Sequence, residues 1–463
     1  MPPSASFRLV RARIPDGGND TVETSIVVRD GRIERLGAGA APGLPDLDAG
    51  GAWVLPGAID GHVHFDEPGF THREDFSSGT RAAAAGGVTT VVDMPCTSLP
   101  PVVDADAFRA KLHVIAPRAH VDFALWGGVR GNGFEPATVD RSLASLATLG
   151  VRNIKTYLIS GMDTFEDLGR DELEHVMRTA ARLDLVVGVH AEDREMIDAA
   201  AARAHHDPDG RSAGAYARIR SAEAEARGVQ TCLELAASTG ARLHIVHLAC
   251  GAGVEGIRRA RAGGVRVTAE TCPHYLQFTV DDLLRMGAVL KTAPVVKSAA
   301  DREALWQGLA DGTIDMIATD HAPGQWPEEK HTGSFWSDYG GIPGVELMLS
   351  YVLSEGVAAG RISLERAVEL LSAGPARVHR LGPAKGALRE GADADLVIFD
   401  PAQCWTVRAA QLQTRQKYTP FEGMTMVGRV LRTFVRGVEV FEQAQGPVGK
   451  ASGRLVVREP LPS

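Results

Sequence analysis

The chain has 463 residues, of which 44% are hydrophobic and 23% charged, a composition typical of a globular protein with more than one core. Its 49 basic and 58 acidic residues give a formal net charge of -9, which argues against non-specific nucleic-acid binding. No apolar run reaches the roughly 18 residues of a membrane span, and no signal segment opens the chain. Five scattered cysteines form no C-x-x-C pair, so we expect reduced thiols and a cytoplasmic location, without a membrane partner.

The first predicted elements are two short strands near the amino terminus. Residues 25–33 contain a β-type run, an Asp-Gly turn and the start of a second run. This pattern predicts a β-hairpin.

Short apolar runs then alternate with helix-like stretches. The eight runs are residues 58–64, 88–93, 121–126, 151–157, 185–190, 243–247, 265–270 and 314–320. The helix-like stretches include residues 78–85, 172–182, 222–237 and 302–309. Eight strand–helix repeats are typical of a parallel (β/α)8 barrel of the TIM type, with a doubly wound open sheet as the competing interpretation. The positions of the polar residues favour the barrel.

The first run ends in His62-Val63-His64. Alternate residues of a strand share a face, so both imidazoles are expected to point into the barrel, where they would suit a metal ion. Taken alone the motif is weak, because two hydrogen-bonded structural histidines would also explain it.

Three further runs also end in a potential metal ligand. His190, His247 and Asp320 each stand where an apolar run ends. Catalytic groups of barrel enzymes collect at the carboxyl ends of the strands. Four strands that end in His or Asp are hard to explain by packing, because burying such groups unpaired is costly.

Lys155 lies within the fourth run. A snorkelling or ion-paired lysine is the simplest interpretation. Metal ions would repel an ammonium, so a lysine that serves beside them must be neutral or chemically altered. Addition of carbon dioxide to the neutral amine would give a carbamate that can bridge two metal ions.

Several other histidines receive no role. Strand alternation predicts that His244 faces away from His247, and we interpret it as structural. Those in polar or helical surroundings are His72, His113, His205 and His206.

Near the carboxyl terminus the chain returns to β-type runs. Residues 394–399 form one run, and residues 430–440 form another that Arg436-Gly437 interrupts. We expect residues 1–54 and 385–450 to form one small β-sandwich-like domain from both chain ends, and residues 55–384 to form the barrel. Residues 451–463 are expected to be a docking tail.

The motifs together resemble the cyclic amidohydrolases, a branch of the amidohydrolase superfamily that includes allantoinase, dihydroorotase, dihydropyrimidinase and hydantoinase. The motifs are residues 56–64 (Pro-Gly-Ala-Ile-Asp-Gly-His-Val-His), Lys155 at a strand end, His190-Ala191-Glu192, His247-Leu248 and residues 319–323 (Thr-Asp-His-Ala-Pro). The resemblance runs over nearly the whole chain.

The resemblance implies a centre of two divalent ions. The implied ligands are His62, His64, Lys155, His190, His247 and Asp320. The first two histidines would bind the more buried ion together with Asp320, the last two histidines would bind the second ion, and the lysine, as carboxylysine, would bridge both. Zinc is the expected ion, with manganese or cobalt as alternatives. Asp320 would also be the catalytic residue, moving a proton from the attacking water to the departing ring nitrogen.

The pattern is most similar to that of allantoinases, which indicates a neutral ureide such as allantoin as the substrate. Dihydroorotases hold a substrate carboxylate with Arg, Asn and His at places where this chain has Asp66, Cys96 and Gly324, and Asp66 would repel an anion. A hydantoinase- or dihydropyrimidinase-type hydrolase is a further alternative.

The likeness to allantoinases is imperfect near the pocket. They usually have Asn where Asp66 stands, and Phe-Lys-Cys-Phe around Lys155. The residues expected to line the substrate pocket are Asp66, Ser160, Tyr275 and Ala293. Packing of loops is the alternative role for these four.

The loop from Gly324 to Gly341 is expected to cover the site as a lid or to contact another subunit. The resemblance also implies a homo-oligomer, a dimer or tetramer. The chain is interpreted as a hydrolase of carbon–nitrogen bonds in cyclic amides. A non-catalytic relative that uses the barrel for binding is the alternative, although all six ligand positions are present.

Overall fold

The computed structural model describes residues 5–37, 39, 41–204 and 209–456. His205, His206 and the end of the expected tail, residues 457–463, lie outside the described residues. None of the helices in the described ranges combines the length and the apolar character that crossing a bilayer requires.

Five strands precede the barrel. They are β1 (Phe7–Pro15), β2 (Thr21–Arg29), β3 (Arg32–Leu36), β4 (Asp46–Asp48) and β5 (Trp53–Pro56). β2 and β3 pair antiparallel around Asp30 and Gly31, whose φ angles of 50° and 82° are the left-handed values that a tight hairpin turn needs. The predicted hairpin is therefore confirmed.

The middle of the chain forms a parallel barrel. Its strands are β6 (Ala58–Val63), β7 (Val88–Asp93), β8 (Asp122–Leu125), β9 (Gly127–Gly128), β10 (Asn153–Tyr157), β11 (Val186–His190), β12 (Arg242–Ile245), β13 (Val267–Thr271) and β14 (Met316–Ile317). β8 and β9 are two parts of one barrel strand, separated at Trp126. The barrel closes where Val63 bridges His321 and the amide of His64 donates to the carbonyl of His321 at 2.8 Å. This closure confirms the barrel over the open sheet.

Helices alternate with the barrel strands. They are α1 (Phe76–Ala85), α2 (Ala105–Ile115), α3 (Pro136–Thr148), α4 (Arg170–Arg182), α5 (Arg194–Ala204), α6 (Ala213–Ile219), α7 (Ala222–Thr239), α8 (Gly251–Ala262), α9 (Pro273–Gln277), α10 (Val280–Met286), α11 (Ala299–Asp311), α12 (Met348–Tyr351), α13 (Leu364–Val368) and α14 (Gly374–Val378). Short 3-10 turns span Ala116–Arg118, Gly287–Leu290 and Ala409–Gln411, and π-helical segments span Val352–Ala358 and Glu369–Ala373. The four predicted helical stretches lie within α1, α4, α7 and α11. Side-chain caps start three of them, since Asp75 accepts from the amide of Ser78, Ser221 from that of Ala224 and Ser298 from that of Asp301.

Both chain ends contribute strands to one sheet. The last strands are β15 (Leu396–Thr406), β16 (Thr425–Val435), β17 (Val438–Glu442) and β18 (Gly446–Pro447). β15 pairs antiparallel with β5, with Leu396 opposite Pro56, which joins the two ends in a nine-stranded sheet. The hydroxyl of Thr433 in β16 donates to the carbonyl of Ala84 at 2.8 Å, so the sheet packs on the first barrel helix. The domain boundaries themselves stay a prediction.

A buried ionic cluster joins this sheet to the barrel. Nζ of Lys385 lies 2.6 Å from a carboxylate oxygen of Asp122 in β8. It also lies 3.0 Å from Asp393 and 2.7 Å from Asp395, which precede β15. The three carboxylates are close enough together to hold a metal ion, but the ammonium of Lys385 lies among them. We therefore interpret the cluster as an ion-pair network.

The start of the expected tail docks on the barrel. The amide of Phe123 donates to the carbonyl of Arg454 at 3.0 Å, and the amide of Val456 donates to the carbonyl of Phe123 at 2.7 Å. In the described part of the chain, the tail therefore extends the pairing of β8.

Candidate metal centre

Six side chains lie together at the carboxyl ends of the barrel strands. They are His62, His64, Lys155, His190, His247 and Asp320. The strands run parallel, so residues at their carboxyl ends share one mouth of the barrel, where enzymes of this fold keep their active sites.

His62, His64 and Asp320 form the first cluster. Oδ1 of Asp320 lies 3.2 Å from Nε2 of His62 and 3.1 Å from Nε2 of His64. One ligand atom from each residue lies within 4.8 Å of the others, a spacing that a single metal ion can span. Burial would raise the pKa of Asp320, but the two histidines hold it well below its ordinary value. Asp320 is therefore a carboxylate in this environment.

His190 and His247 form the second cluster. Nδ1 of His190 lies 3.1 Å from Nε2 of His247, and the ring centres of His247 and His62 are 5.4 Å apart, so the two clusters adjoin. Burial lowers the pKa of His190 to about 4 and the pKa of His247 well below its ordinary value. Both rings are therefore neutral and can offer a lone pair to a metal ion.

Lys155 is an unpartnered group in this site. Its Nζ is buried, has no hydrogen-bond partner among the described residues and lies 4.2 Å from the ring centre of Tyr157. Burial lowers its pKa to about 8, against the opposing effects of Cys96 and the site carboxylates. Carbamate formation needs the neutral amine, so an unpartnered lysine with a lowered pKa suits that reaction better than it suits a structural ion pair. With the imidazoles and the carboxylate, this donor set fits divalent cations.

Two carboxylates that the sequence reasoning missed orient the histidines. Oε1 of Glu270 lies 2.5 Å from Nδ1 of His62, and Oε2 of Glu192 lies 2.7 Å from Nε2 of His190. Each contact occupies one ring nitrogen and leaves the other for the clusters above. Arg220 pairs with Glu192 and, against burial, holds the pKa of that carboxyl well below its ordinary value. Glu270 ends a predicted strand and Glu192 follows one, so the same strand-end signal could have found both.

His244 lies inside the barrel, so the prediction that it faces away from the site is wrong. Its Nε2 lies 3.2 Å from Oε2 of Glu270, and its Nδ1 lies 2.8 Å from the hydroxyl of Thr268. Strand alternation fails because the strand ends before His247, whose φ of 40° turns the chain. His244 contacts Glu270 and not the candidate ligands, which agrees with a structural role.

Three residues of this region have left-handed backbones without being glycine. Asp66, His247 and Asp320 have φ angles of 54°, 40° and 50°. Such conformations cost on the order of 1 kcal/mol each and collect at functional sites, where the surrounding structure holds them. The strain is independent support for a functional role of this end of the barrel.

The four residues expected to line the pocket differ in their surroundings. Asp66 is buried, and neither carboxyl oxygen has a hydrogen-bond partner among the described residues. Tyr275 is buried and donates its hydroxyl to the carbonyl of Pro294 at 2.7 Å. Ser160 donates to a carbonyl of its own loop at 2.7 Å, and Ala293 is partly buried. Of these four, Asp66 alone keeps buried polar atoms without a partner.

The loop that is expected to be a lid or a subunit contact packs on its own chain. Nζ of Lys291 donates to the carbonyls of Phe335, Trp336 and Asp338 at 2.6, 3.1 and 2.6 Å. Lys330 donates to two more loop carbonyls, each at 2.8 Å. Two lysine side chains thus hold the loop in place, while its role as lid or subunit contact stays a prediction.

Two adjoining cavities open at the opposite end of the barrel. They have volumes of about 480 and 450 Å³, and Arg242, Arg377 and Arg380 line both. Arg242 and Arg380 already pair with Asp184, at 3.0 and 2.7 Å. The amino-terminal end of a barrel serves stability, so we do not place the chemistry there.

Comparison with known proteins identifies the family. The model of the amidohydrolase family matches residues 53–440. An allantoinase of Rubrobacter xylanophilus is 41% identical over 440 residues, 94% of this chain and 94% of that protein. A dihydroorotase of Halobacterium salinarum is 39% identical over 415 residues, 89% of this chain and 92% of that protein. A solved L-hydantoinase (dihydropyrimidinase) from Arthrobacter aurescens has a TM-score of 0.92 at 32% identity and covers 98% of this chain and 99% of its own. The chain therefore belongs to the amidohydrolase family.

Proposed function

We propose that this protein opens a cyclic amide by hydrolysis with the help of two divalent metal ions. The observation that supports this most is a buried lysine without a partner beside a His-His-Asp cluster and a histidine pair. Packing alone gives no reason to bury an amine unpaired at this place. The similarity to proteins named allantoinase, L-hydantoinase and dihydroorotase supports the reaction class.

Six residues are proposed as ligands of the two ions. They are His62, His64, Lys155, His190, His247 and Asp320. We infer that the first two histidines and Asp320 would hold one ion, that the last two histidines would hold the other, and that the lysine, as carboxylysine, would be a ligand of both. Zinc is the expected ion, with manganese or cobalt as alternatives, because imidazole and carboxylate ligands suit all three. When bound, such ions supply Lewis acidity that polarises an amide carbonyl and lowers the pKa of water.

Asp320 is the proposed proton carrier. As a carboxylate it accepts a proton from the attacking water while the water oxygen bonds to the carbonyl carbon of the ring. It then gives this proton to the ring nitrogen as the carbon–nitrogen bond breaks. The products are a carboxylic acid and the freed nitrogen group, so atoms and charge balance.

A neutral ureide ring such as allantoin is the proposed substrate. A carboxylate-bearing ring would meet Asp66 and Cys96, which offer no cation, and Asp66 is buried without a partner. The names of the similar proteins refer to several different ring substrates, so the proposal of a neutral ring depends on the pocket residues Asp66 and Cys96. A hydantoinase-, dihydropyrimidinase- or dihydroorotase-type activity is the second candidate, supported by the dihydroorotase and L-hydantoinase likenesses.

A reducing compartment such as the cytoplasm is the proposed location. All five cysteines are free thiols, and four of them are buried. The expected homo-oligomer, a dimer or tetramer, stays a prediction.

Turnover of a substrate panel by metal-loaded protein tests the function. The panel contains allantoin, hydantoin, dihydrouracil and dihydroorotate, and elemental analysis counts the ions. We expect about two ions per chain and the highest kcat/KM for a neutral ring. Faster turnover of dihydroorotate would contradict the substrate, and no ions with no turnover would favour a non-catalytic barrel.

Lys155→Ala is the matched variant for this experiment, with Lys450→Ala at an exposed position as its control. We expect Lys155→Ala to hold fewer ions and to lose at least ~99% of turnover, since it removes a ligand of both ions. The control is expected to keep the ions and the activity. Equal metal content in the two variants would contradict the bridging role.

A further inference from the structure

The two adjoining cavities at the amino-terminal end of the barrel are surrounded by an excess of positive charge. Their volumes of about 480 and 450 Å³ are those of pockets that hold small molecules. Arg242, Arg377 and Arg380 line both cavities, and Asp184 is the single acidic residue among the described residues that line them. The whole chain has a formal net charge of -9, so this excess of cations is local.

Asp184 holds two of these arginines side by side. Nη1 and Nη2 of Arg380 donate to its two carboxylate oxygens at 2.7 and 2.9 Å, and Nε of Arg242 donates to the same carboxylate at 3.0 Å. Hydrogen bonds from Arg380 and Arg242 lower the pKa of Asp184 to about 2, so the group is ionised. One carboxylate thus fixes two guanidinium groups at one cavity and can neutralise only one of them.

Other donors at the cavities are unused. Arg242 makes no hydrogen bond to the described residues beyond the one from Nε, so both of its Nη groups are free. Arg377 is 58% exposed, and its acidic contact in the described part of the chain is Glu369, at 3.4 Å. Arg266 lines the second cavity and donates to the carbonyl of Gly240, without an acidic partner among the described residues. The cavity walls therefore offer N–H groups to a ligand.

The remaining cations of this region are already neutralised. Arg261 pairs with Asp315, and Lys385 lies in the buried ionic cluster between the sheet and the barrel. The guanidinium groups left are those of Arg242, Arg266, Arg377 and Arg380, and the carboxylates near them are those of Asp184 and Glu369. Two positive charges are therefore uncompensated, which matches a dianion.

We infer that this arginine-lined end of the barrel binds a phosphate group, either as free phosphate or as part of a small phosphomonoester. Guanidinium groups recognise phosphate oxygens through paired, charge-assisted N–H donors. The unused donors of Arg242 and Arg377 supply such contacts, and Asp184 keeps Arg242 in position. The site lies at the opposite end of the barrel from the candidate metal centre, so the inference is independent of the proposed ring hydrolysis.

Calorimetric titration tests this inference. Metal-loaded wild type, Arg242→Gln and Arg377→Gln are titrated with inorganic phosphate and with adenosine 5′-monophosphate at a fixed ionic strength. We expect saturable binding to the wild type and a Kd at least about 10-fold higher in each variant, because each loses a charge-assisted contact. Tighter binding of the nucleotide assigns the site to phosphomonoesters, and tighter binding of inorganic phosphate assigns it to the free ion.

Arg109→Gln is the matched control. Arg109 is 61% exposed and pairs with Asp106 at 3.0 Å on another helix, and it does not line either cavity. We expect this variant to keep the wild-type Kd. Phosphate that binds metal ions at the other end of the barrel would be insensitive to all three substitutions, so the variants separate the two sites.

The results that overturn the inference are specific. They are no saturable binding of either ligand up to ~10 mM, or equal Kd values in the wild type and both cavity variants. If Arg242→Gln does not fold, Arg377→Gln decides alone, because its side chain is largely exposed. A changed oligomeric mass of Arg377→Gln in light scattering, without phosphate binding to the wild type, would assign this surface to a subunit contact instead.

Discussion

Nε2 of His64 lies 3.1 Å from Oδ1 of Asp320, although the two residues are 256 positions apart. The first and the last barrel strands meet at this point, where Val63 bridges His321. The contact between His64 and Asp320 therefore exists only when the barrel is closed. This relationship makes the integrity of the barrel a condition for the candidate metal centre.

Asp320→Asn tests the proposed proton carrier. The side-chain amide of Asn has nearly the same shape as the carboxylate of Asp320 but cannot accept the proton of the attacking water. We therefore expect kcat to fall by roughly 10²- to 10⁴-fold with little change in Tm. Steady-state kinetics and circular dichroism measure the two effects. Asp106→Asn, at a carboxylate that is 96% exposed, is the control. A variant that keeps most of its kcat would refute the role of Asp320.

Glu192→Gln tests whether Glu192 orients the ring of His190. Glu192 accepts from Nε2 of His190, and the charged form of the carboxylate favours the ring state that offers Nδ1 to an ion. We expect metal affinity to fall by about 10- to 100-fold, measured by competition with a chelator. Glu234→Gln changes a half-exposed carboxylate that pairs with Arg170 and is the control. Equal affinities in the two variants would contradict the orienting role.

Glu225→Gln tests a pH dependence of stability. Burial raises the pKa of Glu225 from 4.5 to about 7, although Lys297 opposes the shift. The folded state thus retains a proton that the unfolded state loses above pH 4.5, so the contribution of Glu225 to stability is fully present below that pH and is lost as the pH rises through about 7. We expect the wild type to lose ~3 kcal/mol across this window and the variant to lose less.

Chemical denaturation at several pH values measures this difference. The amide of Gln can still accept from the backbone of Ala249, which donates to Glu225 at 2.7 Å, so the comparison isolates the titration. Glu255→Gln, at a carboxylate that is 58% exposed, is expected to follow the wild-type pH profile. Parallel profiles for all three proteins would show that Glu225 is already ionised in the folded state at low pH.

Lys385→Met tests the ionic cluster between the sheet and the barrel. The substitution leaves the buried carboxylates of Asp122 and Asp395 and the partly buried carboxylate of Asp393 with one cation fewer, so we expect a loss of about 3–5 kcal/mol in the free energy of unfolding. Lys450→Met, at an exposed position, is the control. A loss smaller than ~1 kcal/mol would mean that the cluster adds little to stability.

The strand ends could be predicted from the sequence because an apolar run and the polar residue that ends it form a local pattern. The hairpin at Asp30 and Gly31, the barrel strands and the predicted helices all follow from such patterns, and the structure confirms them. His244 was misjudged because alternation applies only inside a strand, and the left-handed turn at His247 is not a local pattern. Glu270 was missed as the partner of His62 because contacts between strands depend on register, whereas Glu192 lies only two positions after His190 and the strand-end signal could have found it.

The sequence by itself determined the kinds of donor and their places at the strand ends, because the alternation of apolar and polar residues is set by backbone geometry. Tertiary structure alone decided which donors lie together in a candidate ion site, since His64 reaches Asp320 only across the closing seam of the barrel. It also decided that Nζ of Lys155 lies buried without a hydrogen-bond partner among the described residues. The physical reason is that burial and pairing depend on every strand around a side chain and not on its neighbours in the sequence.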